Sequence, residues 1–359
     1  ANRHENGISF VQSGLFLYLF LMALSTMTDN DTANEINACL GFNMTETEKT
    51  ELVNEILFGL PVSSNSMKLR WSSRLVLSSA QKVNEKFRND TASALSVIFD
   101  KFNGTESPDE LASTLNHMVS IDSGGAIRDA FEVDEMLEGV RGVALTTLYL
   151  RAGWRSAATV LNGTRPFRDV DGTPLRTVRM IRINDVMRYA NFEAWQFHAI
   201  EIPYSTPDLS LLMLVPYTSS LRSLVQTLVS TSLDEIYKQM VTRRIAVSMP
   251  IYTLRMTLLL PSKLQAMGVK RLVNWNDTEN DELRLSHAVQ RLMFWAEAGR
   301  NAFKDDGYCN HKLFCLQLCG YLFVTYLILS VEQTQKIVII LFIVRFLFLF
   351  LIRIPKICA

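Results

Sequence analysis

Apolar positions follow three rhythms along this chain. Residues 14–28, GLFLYLFLMALSTMT, are apolar nearly all the way round. A helix of that kind is buried on every side, and this one is too short to span a membrane. The following stretch, NDTANEINACLGFN, is amphipathic. Thr32 with Glu35 three residues on predicts an N-cap and capping box there. From Lys68 the run KLRWSSRLVLS alternates, as a half-buried strand does, and NEKFRNDTASALSVIF reads as a helix followed by a strand. SPDELASTLNHMVSIDSGG is a third helix, stopped by Gly124 and Gly125.

Beyond it the period shortens. GVALTTLYLRAGW, TVRMIRI, MRYANFEAWQFHAIEIPY and LSLLMLVPY are strand-like runs divided by turn residues. A helical stretch over residues 220–240 precedes the strand RRIAVSMPIYTL. LRLSHAVQRLMFWA (283–296) reads as a helix turning into a strand. Helices first and strands later make a mixed α+β fold. No internal repeat is visible.

After Cys309 the pattern changes again. Residues 313–331 are almost wholly apolar, as are 337–352 apart from Arg345. Two such runs suit membrane spans or an anchor. With no amphipathic period and few caps, they equally suit translated AT-rich non-coding sequence, which is the preferred reading of the tail.

Composition narrows the function classes. In 359 residues, 36 basic side chains balance 36 acidic ones, so no global field favours nucleic acid or an anionic membrane. Lys68, Arg70 and Arg74 read as ordinary surface charges on a strand rather than as a polyanion patch. Of five cysteines, Cys39 stands alone and Cys309, Cys315, Cys319 and Cys358 lie near the end, without CxxC or zinc-finger spacing. Neither metal nor cofactor is implied. Six N-x-S/T sequons, at Asn30, Asn43, Asn89, Asn103, Asn162 and Asn276, point to a secreted, extracellular glycoprotein. The start at Ala1, without a signal-peptide layout, suggests a processed or fragmentary chain.

Catalytic motifs do not assemble. Asp122-Ser123-Gly124-Gly125 matches the surroundings of a protease nucleophile. Yet none of His4, His117, His198, His287 and His311 has a catalytic context. Ser123 reads instead as a helix end. The acidic run of Asp129, Glu132, Asp134, Glu135 and Glu138 reads as a solvated face. GxSxG, HExxH, Walker and GxGxxG patterns are absent from the sequence. An enzyme is not supported.

Several segments, taken in order, resemble the serpin family over residues 8–303. NDTANEINACLGFN resembles its Thr-Ala-x-Glu-Ile helix, and LYLRAGW its Ile-Tyr-Phe-Lys-Gly-x-Trp strand. RPFRDVDGTPLRTVRMI is similar to the Pro-Phe, Asp-Gly, Val-x-Met segment, and IEIPYSTPDLSLLMLVP to the Leu-Glu-Leu-Pro-Tyr hairpin. IAVSMPIYTL with LQAMGVKRL, and then LRLSHAVQRLMF, complete the order. The resemblance implies a large mixed central sheet with further sheets and a cluster of helices. It also implies inhibition of serine or cysteine proteases by a cleaved loop whose hinge inserts into that sheet.

The hinge departs from the family. It falls on Glu297, Gly299, Arg300, Asn301, Ala302, Phe303 and Lys304: Glu297 and Gly299 match the family's Glu-x-Gly, but the Thr-Glu-Ala-Ala-Ala-Ala-Thr that follows in the family is replaced by Arg-Asn-Ala-Phe-Lys-Asp-Asp. An inserted strand buries every second side chain. One parity buries Arg300, Ala302, Lys304 and Asp306; the other buries Asn301, Phe303 and Asp305. Each unpaired buried charge costs on the order of several kcal/mol, so insertion is disfavoured either way. Ser13-Gly14-Leu15-Phe16 stands where the family has Ser-Pro-x-Ser, Met27-Thr28 where it has Gly-Ala, and Thr146 where it has a structural Asn. Of its two closing strands, only residues 346–359 faintly echo the first.

These readings set the expectations. Residues 1–303 form a serpin-like domain lacking its first helix, and residues 304–359 replace the reactive loop and closing strands. The chain is a secreted, weak or non-inhibitory member whose partners by resemblance are proteases. The alternatives are a membrane-anchored binding protein, attached only through 313–352, and a mis-spliced or decayed product.

Overall fold

The computed structural model describes residues 13–296, except 42–43, 80, 82–93, 137–139, 169–173, 208, 217–223, 225–226, 229–230, 274–282 and 284; beyond 296 it describes 325–327 and 338–344. Two sheets organise these residues. The first has five strands in the order β2 (Val97–Phe102), β1 (Met67–Ser78), β3 (Gly142–Ala152), β10 (His287–Ala296) and β9 (Tyr252–Leu259). It is mixed: β1–β2 and β3–β10 run parallel, while β1–β3 and β10–β9 run antiparallel. The second has seven strands. Its path runs β11 (Thr325–Leu327), β12 (Val338–Val344), β7 (Leu209–Pro216), β6 (Phe197–Pro203), β5 (Pro174–Phe192) and β4 (Thr159–Arg168), and β8 (Val241–Pro250) pairs with β5. The expected α+β architecture, a mixed central sheet with a further sheet and helices, is what forms.

The helices cover the five-stranded sheet on both faces. α1 (Gly14–Ser25) is buried along its whole length, as its all-round apolarity requires. Phe16 on its first turn stacks on Trp71 of β1, ring centroids 5.0 Å apart. α2 (Asn30–Leu40) and α3 (Glu46–Phe58) pack into the same core through Ile36, Leu40, Val53 and Ile56. α4 (Pro108–Ser123) lies over the opposite face, burying Leu111, Leu115 and Val119 against Val76, Val143 and Leu145. Its start is a capping box between Ser107 and Glu110, and Gly124 ends it in the left-handed conformation, φ 67°. The short helices α5 (Leu233–Gln239) and α6 (Pro261–Ala266) complete the set.

Four local expectations are corrected. Asp29, not Thr32, caps α2: its carboxylate accepts from Thr32 N (2.9 Å) and Thr32 Oγ1 (2.6 Å). Glu35 turns away to accept from the Lys270 and Arg271 amides. Residues 283–296 do not begin as a helix: Leu285 N donates to Leu272 O and Ser286 N to Gly142 O, holding the approach to β10 extended. The run read at 177–183 and the start of the run read at 187–204 form one 19-residue strand, with Asp185 bound by Arg155 between them, and the second run is itself divided by a turn at 193–196. Arg74 is no surface charge. Its side chain, 12% exposed, bridges Asp100 and Asp122 at 2.5–2.6 Å. Of the helix read at 220–240, α5 is the described part, and the helix read near 84–94 lies largely outside the described residues.

Candidate functional site

The central seam of the five-stranded sheet lies between β3 and β10. His287–Met293 pair with Val143–Tyr149 in parallel register. Past that point the two strands keep their outer partners only: Leu150, Arg151 and Ala152 pair with β1, and Phe294, Trp295 and Ala296 with β9. The described pairing across the seam therefore stops three residues short of both strand ends, leaving a notch.

Alternation gives the seam two unlike faces. Even positions point to α1: Ala144, Thr146 and Leu148 on β3, Ala288 and Gln290 on β10. Odd positions point to α4: Val143 and Leu145 on β3, Val289 on β10, with Arg291 on the same side over the Phe131 ring at 4.7 Å. Both faces are dry. Ala144, Ala288, Val143, Leu145 and Val289 are each at most 2% exposed.

A polar clasp interrupts the inner face. Gln290 Oε1 accepts from Ser13 N at 2.9 Å, and Gln290 Nε2 donates to Ser13 O at 3.0 Å, with both residues buried. This ties the start of α1 to β10. Thr146, in register with Gln290, is 1% exposed, and its hydroxyl has no hydrogen-bond partner among the described residues. The same holds for the Thr147 hydroxyl on the other face.

At the notch, β3 runs into Gly153 and Trp154. Trp154 bridges to Tyr204 and stacks on its ring, centroids 4.5 Å apart and planes 12° off parallel. Burial pushes the Tyr204 phenol well above its usual range. Arg155, next in the chain, forks onto Asp185 through Nε (3.1 Å) and Nη2 (2.9 Å).

The sequence-derived site residues divide. Glu297, Gly299, Arg300, Asn301, Ala302, Phe303 and Lys304 lie outside the described residues, immediately after β10. Among the sequons, Asn30, Asn103 and Asn162 are exposed, on the first turn of α2, in the turn before α4, and beside a bulge in β4 at Gly163. Asn43, Asn89 and Asn276 lie outside the described residues. Ser123 is 1% exposed; its hydroxyl accepts from Ile127 N (2.9 Å) and donates to backbone carbonyls, while His117 is exposed on α4. That pair carries no acyl-transfer chemistry. No group of three or more His, Cys, Asp and Glu among the described residues is placed to hold a metal. No helix among them is long and apolar enough to cross a membrane.

Sequence reading missed Gln290 and the Trp154–Tyr204 stack. The signal for the first was present: an amide in the middle of the apolar run AVQRLMFW.

The family model described as serpin (serine protease inhibitor) matches residues 2–312. Among curated relatives, serpin B10 of Bos taurus is 23% identical over 215 residues, 59% of this chain and 54% of its own length. Alpha-1-antiproteinase of Callosciurus caniceps is 24% identical over 302 residues, 81% of this chain and 72% of its own. The match thus spans about half of the first relative. Among solved structures, the thyroxine-binding globulin complex with thyroxine aligns at TM-score 0.73 and 16% identity, covering 93% of this chain and 91% of its own. Native protease nexin-1 with heparin aligns at TM-score 0.73 and 17% identity, covering 95% and 93%. At such identities these structures speak for the fold.

Proposed function

The chain belongs to the serpin family, and from that premise we propose that it is an extracellular member with weak or absent inhibitory capacity. Proteins of this family bind proteases rather than perform catalysis, so the chain is not an enzyme. Inhibition as the resemblance implies it requires the loop hinge to enter the central sheet as a new strand. Its place is the β3–β10 seam, whose two parallel strands would each gain an antiparallel neighbour.

The observation that carries the proposal is the dryness of that seam against the charge of the hinge. Side chains entering it meet Ala144 and Ala288 on one face and Val143, Leu145 and Val289 on the other. Because both faces are dry, Arg300, Lys304 and Asp306 on one side and Asp305 on the other would all have to lose water there. The test is incubation with trypsin-like and chymotrypsin-like proteases followed by denaturing gel electrophoresis. The expected result is cleavage without an SDS-stable complex, and a stable complex overturns the proposal.

Exposure of Asn30, Asn103 and Asn162 supports an extracellular glycoprotein. For residues 304–359 we infer a replacement of the reactive loop and closing strands. β12, at 338–344, pairs antiparallel with Leu209–Leu214 of β7, ahead of the segment 346–359 in which the family echo was read. Pairing of 338–344 in a sheet favours this reading over an anchor in 313–352. Release of the chain from membranes by alkaline carbonate is the expected result, and retention restores the anchor.

A further inference from the structure

We propose that the outer face of α3 and the loop after it are a docking surface for residues 345–359 of this same chain. Phe58, the last residue of α3, is 94% exposed, and Val62 in the loop is 84% exposed. They are the two most exposed large apolar side chains among the described residues, and Leu57 and Pro61 lie half-buried beside them. Isolated exposed apolar residues are ordinary, but an adjoining pair left almost wholly in water marks a contact surface.

The rest of the surface is acidic. The helical period turns Lys49, Val53 and Ile56 of α3 into the core and Glu48, Glu51, Glu55 and Phe58 to solvent. Lys49 is the one basic residue of α3, and its buried ammonium donates to Ser25 Oγ at 2.7 Å, so it offers no charge to the outer stripe. A partner that fits carries cations and apolar side chains together. Of the segments after β10 outside the described residues, 297–324 and 328–337 are each charge-balanced. The segment 345–359, RFLFLFLIRIPKICA, sets Arg345, Arg353 and Lys356 among apolar residues and has no acid. A second copy would bring the same acidic stripe and be repelled by it.

The connections of the fold bring this segment to the surface. Val344, the last residue of β12, is in register with Leu209 of β7. Leu209 N donates to Thr206 O, and the Thr206 hydroxyl lies 3.4 Å from that of Ser66. Gly153 ties the same two loops, donating to Ser66 O and accepting from Ser205 N. The chain thus passes residue 344 beside the loop that carries Val62. Extended, the 15 residues 345–359 reach about 50 Å, more than the length of the 13-residue α3, about 20 Å. The inference rests on the pairing of β12 with β7, as does the reading of the tail given above.

The experiment uses the full chain carrying Val62→Cys. Alkylation by N-ethylmaleimide is followed at that position by peptide mass spectrometry, and hydrogen exchange of 338–344 is read in the same preparation. Alkylation about tenfold slower than in the same variant ending at Val344 is expected. Arg353→Glu with Lys356→Glu keeps the full length and should restore fast alkylation. Adding Glu51→Lys and Glu55→Lys to that variant should slow it again, which a misfolded tail would not do. Equal rates with 338–344 protected from exchange overturn the docking alone, and equal rates with 338–344 unprotected overturn the pairing as well. Protection that grows with protein concentration assigns the surface to a second copy, and protection indifferent to the charge reversals assigns it to a contact that does not use the carboxylates. Either result overturns the proposal.

Discussion

Gln290 and Ser13 exchange two hydrogen bonds across 277 positions of sequence, Ser13 N to Gln290 Oε1 and Gln290 Nε2 to Ser13 O. Each is buried in apolar surroundings, with Phe16 stacked on Trp71 beside them. A side-chain amide is suited to this place because it carries a donor and an acceptor side by side and can close a ring with a main-chain N–H and C=O. The clasp sits under the middle of the seam, so any parting of β3 from β10 carries its strand end away from α1 or drags α1 along.

Gln290→Leu conserves volume and deletes both bonds. The loss expected is about 1–3 kcal/mol of unfolding free energy, the cost of leaving buried main-chain groups without their partner. Urea denaturation followed by circular dichroism measures it. An unchanged midpoint would mean that the clasp contributes no net stability.

Thr146→Val acts in the opposite direction. The Thr146 hydroxyl is buried in register with Gln290 and has no partner among the described residues, so the methyl that replaces it gives up no bond and removes a desolvated dipole. A gain of about 1 kcal/mol is expected in the same urea experiment. A loss would reveal that the hydroxyl is satisfied in solution.

Much of the architecture was legible in the sequence, because periodicity and the order of family-like segments depend on local residues. α1 was readable from its all-round apolarity, and α4 from its stop at Gly124 and Gly125. What escaped depended on partners far along the chain. Asp29, Asn30, Asp31 and Thr32 are all capable caps, and Asp29 prevails because Glu35 is drawn to the Lys270 and Arg271 amides. Arg74 sits on a strand that otherwise exposes Lys68 and Arg70, and only Asp122 at the end of α4 and Asp100 on β2 make it an interior cation. The charge of the hinge was visible at once. The seam it would enter was not, since a dry slot is a property of two strands some 140 residues apart.

Asp185 gives the fold an acid-sensitive joint. Burial pushes its carboxyl up, but hydrogen bonds from Arg155, the Val186 amide and Ser156 more than reverse this and hold its pKa below the usual carboxylate value. The unfolded carboxyl titrates near 3.9. The stabilisation is therefore fully present above about pH 5 and is lost as pH falls through the lower, folded value. Denaturation of the wild type and Asp185→Asn across pH 2–7 should show a stability gap that is constant at neutral pH and closes below about pH 4. A gap independent of pH would place the contribution in packing rather than in the ion pair.

Cleavage supplies the most direct test of the hinge. A loop that joins a sheet adds a full ladder of main-chain hydrogen bonds and buried side chains, so the cut molecule resists heat far better than the intact one. With Arg300, Lys304 and Asp306 facing either Ala144 and Ala288 on one side of the seam or Val143, Leu145 and Val289 on the other, that gain would be forfeited. Limited proteolysis near position 306, followed by thermal melting, should leave the midpoint within a few degrees of the uncut chain. The triple variant Arg300→Ala, Lys304→Ala, Asp306→Ala removes the charges in one parity, and its cleaved form should melt well above its intact form. A sharp rise for the unmodified sequence would show that the hinge enters the seam charged, and a flat response from the triple variant would mean that something other than charge keeps it out.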